Sequence, residues 1–113
     1  MIKGVGIDIC QIGRLHLKLA NKILTDEEMM LMNRFKLEQR QISFLAGRFA
    51  AKEAIYKAIN QVLPSLKLKD IVVLNDESHK PYVLKPVLED MVIWVSISHE
   101  KDYAIAQAIL ETI

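Results

Sequence analysis

The strongest constraint on this chain is a helix-forming run over residues 38–61 that offers no broad wet face. Its centre, GRFAAKEAIYKAIN at 47–60, surrounds Arg48, Lys52, Glu53 and Lys57 with alanines and large apolar residues. At about 100° per residue, Ala50, Ala51, Ala54 and Ala58 gather with Ile55 on one side, while Leu45, Phe49 and Tyr56 fall roughly opposite. The small residues let such a helix lie close to a sheet or another helix. Glu53 and Lys57, one turn apart, fall between the two apolar regions, and Arg48 and Lys52 form a second one-turn pair near the other boundary. A solvated Glu–Lys pair at this spacing is common and contributes about 0.2–0.5 kcal/mol. A charge bordered by apolar surface on both sides is different, because its removal from water must be offset by a partner or a ligand.

Elsewhere the period of the sequence changes twice. Residues 2–9 are apolar and β-branched, interrupted by Gly4 and Gly6, and read as a buried strand ending near Asp8. After Gly13, RLHLKLANKIL predicts a first helix with Leu15, Leu19 and Ile23 on one face and Arg14, Lys18 and Lys22 on another. Thr25 and Glu28 have capping-box spacing ahead of a second helix over 27–35. The third and longest helix, 38–61, is closed by Leu63-Pro64, since a residue before proline resists the helical region. Then 71–74 and 91–98 become strand-like, 81–84 is a short strand opened by Pro81, and 103–110 can pair with 91–98 across a turn at 99–102. The order of one strand, three helices and about four strands predicts an α+β fold. Three helices would pack on a mostly antiparallel sheet in a single domain over 1–113.

Several function classes are disfavoured at once. A net charge of +1 gives no global field for nucleic acid. One cysteine, Cys10, excludes an internal disulfide and a cysteine-rich metal cage, and His16, His79 and His99 are scattered. No stretch is long enough to span a membrane, and MIKGVGIDIC lacks the apolar run of a signal peptide, so a cytoplasmic enzyme or binding module is expected. An apolar fraction of 51% in so small a chain hints at a subunit interface.

Asp8 is the only charge in GVGIDICQI. It either caps the following helix or, together with Glu53, supplies hard oxygen ligands. Two carboxylates suit Mg²⁺, which completes its shell with water and phosphate oxygens. Spacing alone does not bring these two residues together.

Four segments, in order, carry a resemblance: GIDI with Arg14 over 6–14, FLAGRFAAKEAIYKA at 44–58, DIVVLND with Lys80-Pro81 over 70–81, and SISHEKDYAIAQAIL at 96–110. Together they resemble the holo-[acyl-carrier-protein] synthases, the small single-domain type of 4′-phosphopantetheinyl transferase. The match runs over nearly the whole chain, and 44–58 is its most specific part. The resemblance implies the 4′-phosphopantetheinyl transferase fold. It also implies Mg²⁺-dependent transfer of 4′-phosphopantetheine from coenzyme A to a serine of acyl carrier protein, with release of 3′,5′-ADP, in the service of fatty acid biosynthesis. Asp8 and Glu53 match the metal-binding carboxylates, and with Lys57 they form the implied catalytic set. Arg48, Lys52, Lys57 and His99 are the implied coenzyme A contacts. Arg14 matches a residue on the surface where the acidic carrier protein docks, and Lys18 and Lys22 extend it into a basic row. The family's assembly implies a homotrimer with sites between subunits. The alternative from another class is a module that binds coenzyme A or acyl carrier protein without transferring anything; a third is a structural trimer with an empty cleft.

Three positions depart from the family pattern. Gln11 stands where a glutamate is usual. The segment after the long helix, INQVLPSLK, has no glycine, so Lys67 and Lys69 become the candidates for phosphate charge. His79 replaces a glycine just before Lys80-Pro81 and reads as an exposed turn residue. Cys10 shares a strand face with Asp8 and reads as a small buried residue rather than a nucleophile.

Overall fold

The computed structural model, which describes residues 1–113, joins the two ends of the chain in one sheet. β1 (Ile2–Gln11) pairs antiparallel with β5 (Tyr103–Thr112), and β5 pairs antiparallel with β4 (Met91–His99), in the order β1-β5-β4. β2 (Val72–Asn75) and β3 (Pro81–Lys85) form a separate antiparallel ribbon. The α+β class and the antiparallel pairing agree with the sequence, but the strands divide between two sheets rather than one.

α3 (Glu38–Ile59) lies on one face of the three-stranded sheet and is the spine of the core. Ala50, Ala54 and Ala58 are buried against it, as are Ala104, Ala106 and Ala108 on β5. The two glycines of β1 make this close approach possible. A Cβ at Gly4 would sit 1.9 Å from the Ala58 carbonyl oxygen, and one at Gly6 1.9 Å from that of Ala54. Both are therefore steric requirements of helix-on-sheet packing. β1 alternates accordingly: Gly6 and Cys10 are buried, whereas Val5, Ile7 and Ile9 stay more than half exposed on the opposite face. The strand is buried on one face only and runs on past Asp8 to Gln11.

The first predicted helix does not form as one unit. Residues 12–14 and 17–19 are separate 3₁₀ turns, Leu15 and His16 are extended, and only α1 (Ala20–Ile23) is α-helical. None of these turns has a side-chain cap or an acidic residue in its first turn. Arg14, Lys18 and Lys22 would also stack like charges at i, i+4, which disfavours a helix. Leu15 and Ile23 are buried instead in the main core.

α2 (Asp26–Asn33) begins with the expected capping box: Thr25 Oγ1 accepts from the Glu28 N–H, and Glu28 Oε1 accepts from the Thr25 N–H at 2.9 Å. Unlike an ordinary capping glutamate, Glu28 is completely buried.

Candidate active site

β1 and α3 bring Asp8, Glu53 and Lys57 together. Lys57 lies beside Gly6, and its Nζ donates to the Ile7 carbonyl at 2.9 Å and to Asp8 Oδ1 at 3.1 Å. The ammonium end remains half exposed, while the Asp8 side chain is mostly covered. Partial burial raises the Glu53 carboxyl above the usual glutamate range; the neighbouring Asp8 charge adds to the rise and Lys57 opposes it. The Asp8 charge is felt at Glu53, a repulsion that a cation between the two carboxylates would relieve. The donor set is hard oxygen and holds only two protein carboxylates. It therefore fits Mg²⁺, which keeps several sites for water or phosphate oxygen.

Burial raises the Cys10 thiol above its ordinary value; Asp8 adds to this and Arg14 opposes it. The thiol is buried and poorly ionised, which leaves it inert as a nucleophile.

On the other flank of α3 the structure corrects the expected role of Lys52. Its side chain is entirely inaccessible, and its ammonium is committed to the Ile23 carbonyl, the Leu68 carbonyl and the Glu28 carboxylate. A side chain so enclosed cannot touch coenzyme A. The wheel placed Lys52 near a boundary between two apolar regions, but α2 and the 3₁₀ turn Leu68–Asp70 close over it.

Arg48 is also buried, yet it reaches a cleft. Its Nε donates to the Val73 carbonyl at 3.0 Å, its second nitrogen to Asn75 Oδ1 at 2.9 Å, and its guanidinium lies 4.4 Å from the Phe44 ring centre. Burial lowers its pKa to about 10, with Glu28 acting against the shift. Phe35, Arg40, Phe44, Arg48, Ile97 and His99 line an opening of about 170 Å³. Arg40 sits 5.0 Å from the Phe35 ring, and the two phenyl rings are 5.9 Å apart. Arg40, Phe35 and Phe44 were missed in the sequence. The readable signal was the four-residue spacing of Arg40, Phe44 and Arg48, which places cation, ring and cation along one helix face.

The two groups of residues are not adjacent. Asp8 belongs to one edge strand, opposite Ala106, and His99 to the other edge strand, opposite Ala104, with β5 between them. Arg14, Lys18 and Lys22 are all exposed, on consecutive turns rather than along one helix.

A profile described as the 4′-phosphopantetheinyl transferase superfamily matches residues 4–108. The holo-[acyl-carrier-protein] synthase of Anoxybacillus flavithermus is 42% identical over 98% of this chain and 97% of its own. That of a Geobacillus strain is 44% identical over 98% of each. The chain belongs to the 4′-phosphopantetheinyl transferase superfamily, among its holo-[acyl-carrier-protein] synthases.

A solved structure supports the same placement. The holo-(acyl-carrier-protein) synthase from Bacillus anthracis in complex with CoA (3′,5′-ADP) has a TM-score of 0.89 and 38% identity, covering 100% of this chain and 99% of that one. The departures of this transferase from the family pattern are now explicable in part. His79 has φ 67°, the left-handed region where glycine costs nothing, and it is exposed in a turn in which Asp76 caps the N–H groups of Ser78 and Lys80. Gln11 is exposed at the end of β1.

Proposed function

We infer that Asp8 and Glu53 hold Mg²⁺, that Lys57 meets the pyrophosphate of coenzyme A, and that the chain transfers 4′-phosphopantetheine to a serine of acyl carrier protein. The observation that carries this reading is the Lys57 ammonium bonded to the Asp8 carboxylate, with the partly buried Glu53 carboxylate near enough to feel both charges. The serine oxygen attacks the phosphorus bearing the pantetheine arm, the bond from that phosphorus to the bridging oxygen breaks, and 3′,5′-ADP leaves. Bound Mg²⁺ supplies charge neutralisation at the pyrophosphate oxygens. Lys57 moves from Asp8 to the phosphate and stabilises the negative charge that builds up on the leaving oxygen. The serine proton passes to a neighbouring base, Glu53 or a water. Phosphoryl-type transfer asks mainly for such positioning and neutralisation.

Arg48, Arg40 and His99 form the nucleotide-side cleft in this reading. Arg48 is a buried cation whose two hydrogen bonds go to neutral oxygens, so its charge is left for an anionic ligand. That cleft and the carboxylates lie at opposite edges of the sheet. A trimer in which the carboxylate edge of one copy meets the Arg48 cleft of the next would assemble a complete site. The exposed apolar face of Val5, Ile7, Ile9, Trp94 and Ile105 supplies the surface for that assembly. Arg14, Lys18 and Lys22 receive the acidic carrier protein through charge, since the apolar residues between them turn inward. No helix is long and apolar enough to cross a membrane. We place the reaction, a coenzyme A-dependent step of fatty acid biosynthesis, in the cytoplasm.

The test is direct binding. Calorimetric titration with coenzyme A and Mg²⁺ should show metal-dependent binding that Asp8→Asn weakens at least about tenfold. Equal binding with and without Mg²⁺ would remove the metal from the account.

A further inference from the structure

Lys52 and Glu28 are the only fully buried ion pair of the chain, and their contacts reach every element around one side of α3. Lys52 Nζ donates to the Ile23 carbonyl at 2.7 Å, at the end of α1, and to the Leu68 carbonyl at 3.0 Å, in the 3₁₀ turn. Glu28 uses both oxygens: Oε1 accepts from Lys52 and the Thr25 N–H, and Oε2 accepts from the Val73 N–H of β2 at 2.8 Å. No buried side-chain polar atom is left without a partner. Such a pair is weak evidence for stability, because apolar residues of similar volume often serve as well or better. Its distinctive effect is geometric, since it fixes the end of α1, α2, the 3₁₀ turn and β2 relative to one residue of the helix.

That residue directly precedes Glu53. The segment tied through Leu68 also walls a second cleft, of about 270 Å³, where Leu66 and Lys67 face Glu53 and Tyr56 of α3. Tyr56 adds a second tie, its hydroxyl donating to the Pro64 carbonyl at 3.0 Å. Residues 61–70 contain no glycine, and two side chains of α3, one on either side of Glu53 in sequence, hold them against the helix.

We propose that Glu28 and Lys52 are positioning residues for the Glu53 cleft. By holding the Leu68 carbonyl they keep residues 61–70, with Lys67, against the Glu53 side of α3, and so set the affinity for the metal-bound pyrophosphate of coenzyme A. This rests on the reading of Glu53 as part of the coenzyme A site. Neither residue touches the substrate.

The test is a Glu28→Gln/Lys52→Met double variant, which removes both charges together, compared with the wild-type protein and with Tyr56→Phe. Hydrogen exchange over residues 61–70 and calorimetric titration with coenzyme A in Mg²⁺ are measured on each. The double variant should exchange faster across 61–70 and bind about tenfold more weakly, with kcat nearly unchanged and KM for coenzyme A raised. Tyr56→Phe should shift both quantities in the same direction by less. A lower melting temperature with unchanged affinity and unchanged protection of 61–70 would assign the pair to stability and overturn the proposal. If the double variant fails to fold, Glu28→Gln alone is measured in the same way, and wild-type affinity with wild-type protection of 61–70 in that variant overturns the proposal. Wild-type protein that binds no coenzyme A would instead sink the functional reading, and the positioning role with it.

Discussion

Glu53 concentrates the tension between folding and activity in one side chain. Its carboxyl is raised by burial first and by Asp8 second. A raised carboxyl favours the fold while it is protonated, and that advantage is lost as pH rises through the folded value. At neutral pH the ionised group is therefore a burden, which the proposed Mg²⁺ would relieve. Glu53→Gln should abolish transfer by at least about 100-fold and yet melt no lower than wild type at neutral pH, as scanning calorimetry would show. The proposed Mg²⁺ binding needs the ionised form, so calorimetric titration of the metal-free protein with Mg²⁺ should show affinity falling as pH is lowered through the raised value of the Glu53 carboxyl. Gly6→Ala makes the opposite point: the added Cβ meets the Ala54 carbonyl, and overpacking of that kind costs about 1–3 kcal/mol in chemical denaturation. The unusual setting of Glu53 and Lys57 was legible on the helical wheel, since both lay between apolar regions. Lys52 was not legible. Its partner Glu28 lies on another helix, and no spacing rule in α3 points to a carboxylate 24 residues upstream.

At the scale of elements, local signals succeeded where a cap or a loose alternation existed. The Thr25–Glu28 box fixed the start of α2, and the alternation of residues 103–110 fixed β5. The segment after Gly13 failed because periodicity alone was read as helix, while the uncapped turns and the i, i+4 like charges argued against it. This changes the expectation for the carrier protein. With Leu15 and Ile23 in the core, the proposed docking would rely on Arg14, Lys18 and Lys22 as separate exposed charges. KM for acyl carrier protein should rise steeply with ionic strength, and Arg14→Glu should raise it further with little effect on coenzyme A affinity. A salt-independent KM would contradict that docking mode.

For the molecule as a whole, α3 on an antiparallel sheet explains the core but leaves the other face of β1, β4 and β5 bare. Val5, Ile7 and Ile9 are each more than half exposed, as is Trp94. The sequence carried this only as a general apolar excess; which face held it depended on the glycines that seat β1 under the helix. Ile7→Glu should convert the proposed trimer to monomers in sedimentation equilibrium and lose transfer with it, since each site needs both edges of the sheet. The most direct test of the central claim is intact-mass spectrometry of an apo acyl carrier protein incubated with this protein, coenzyme A and Mg²⁺, beside a chelated control. The account predicts a gain of one phosphopantetheine mass with metal and none with chelator. An unchanged carrier protein under both conditions, with coenzyme A still bound, would contradict it and leave a binding module in its place.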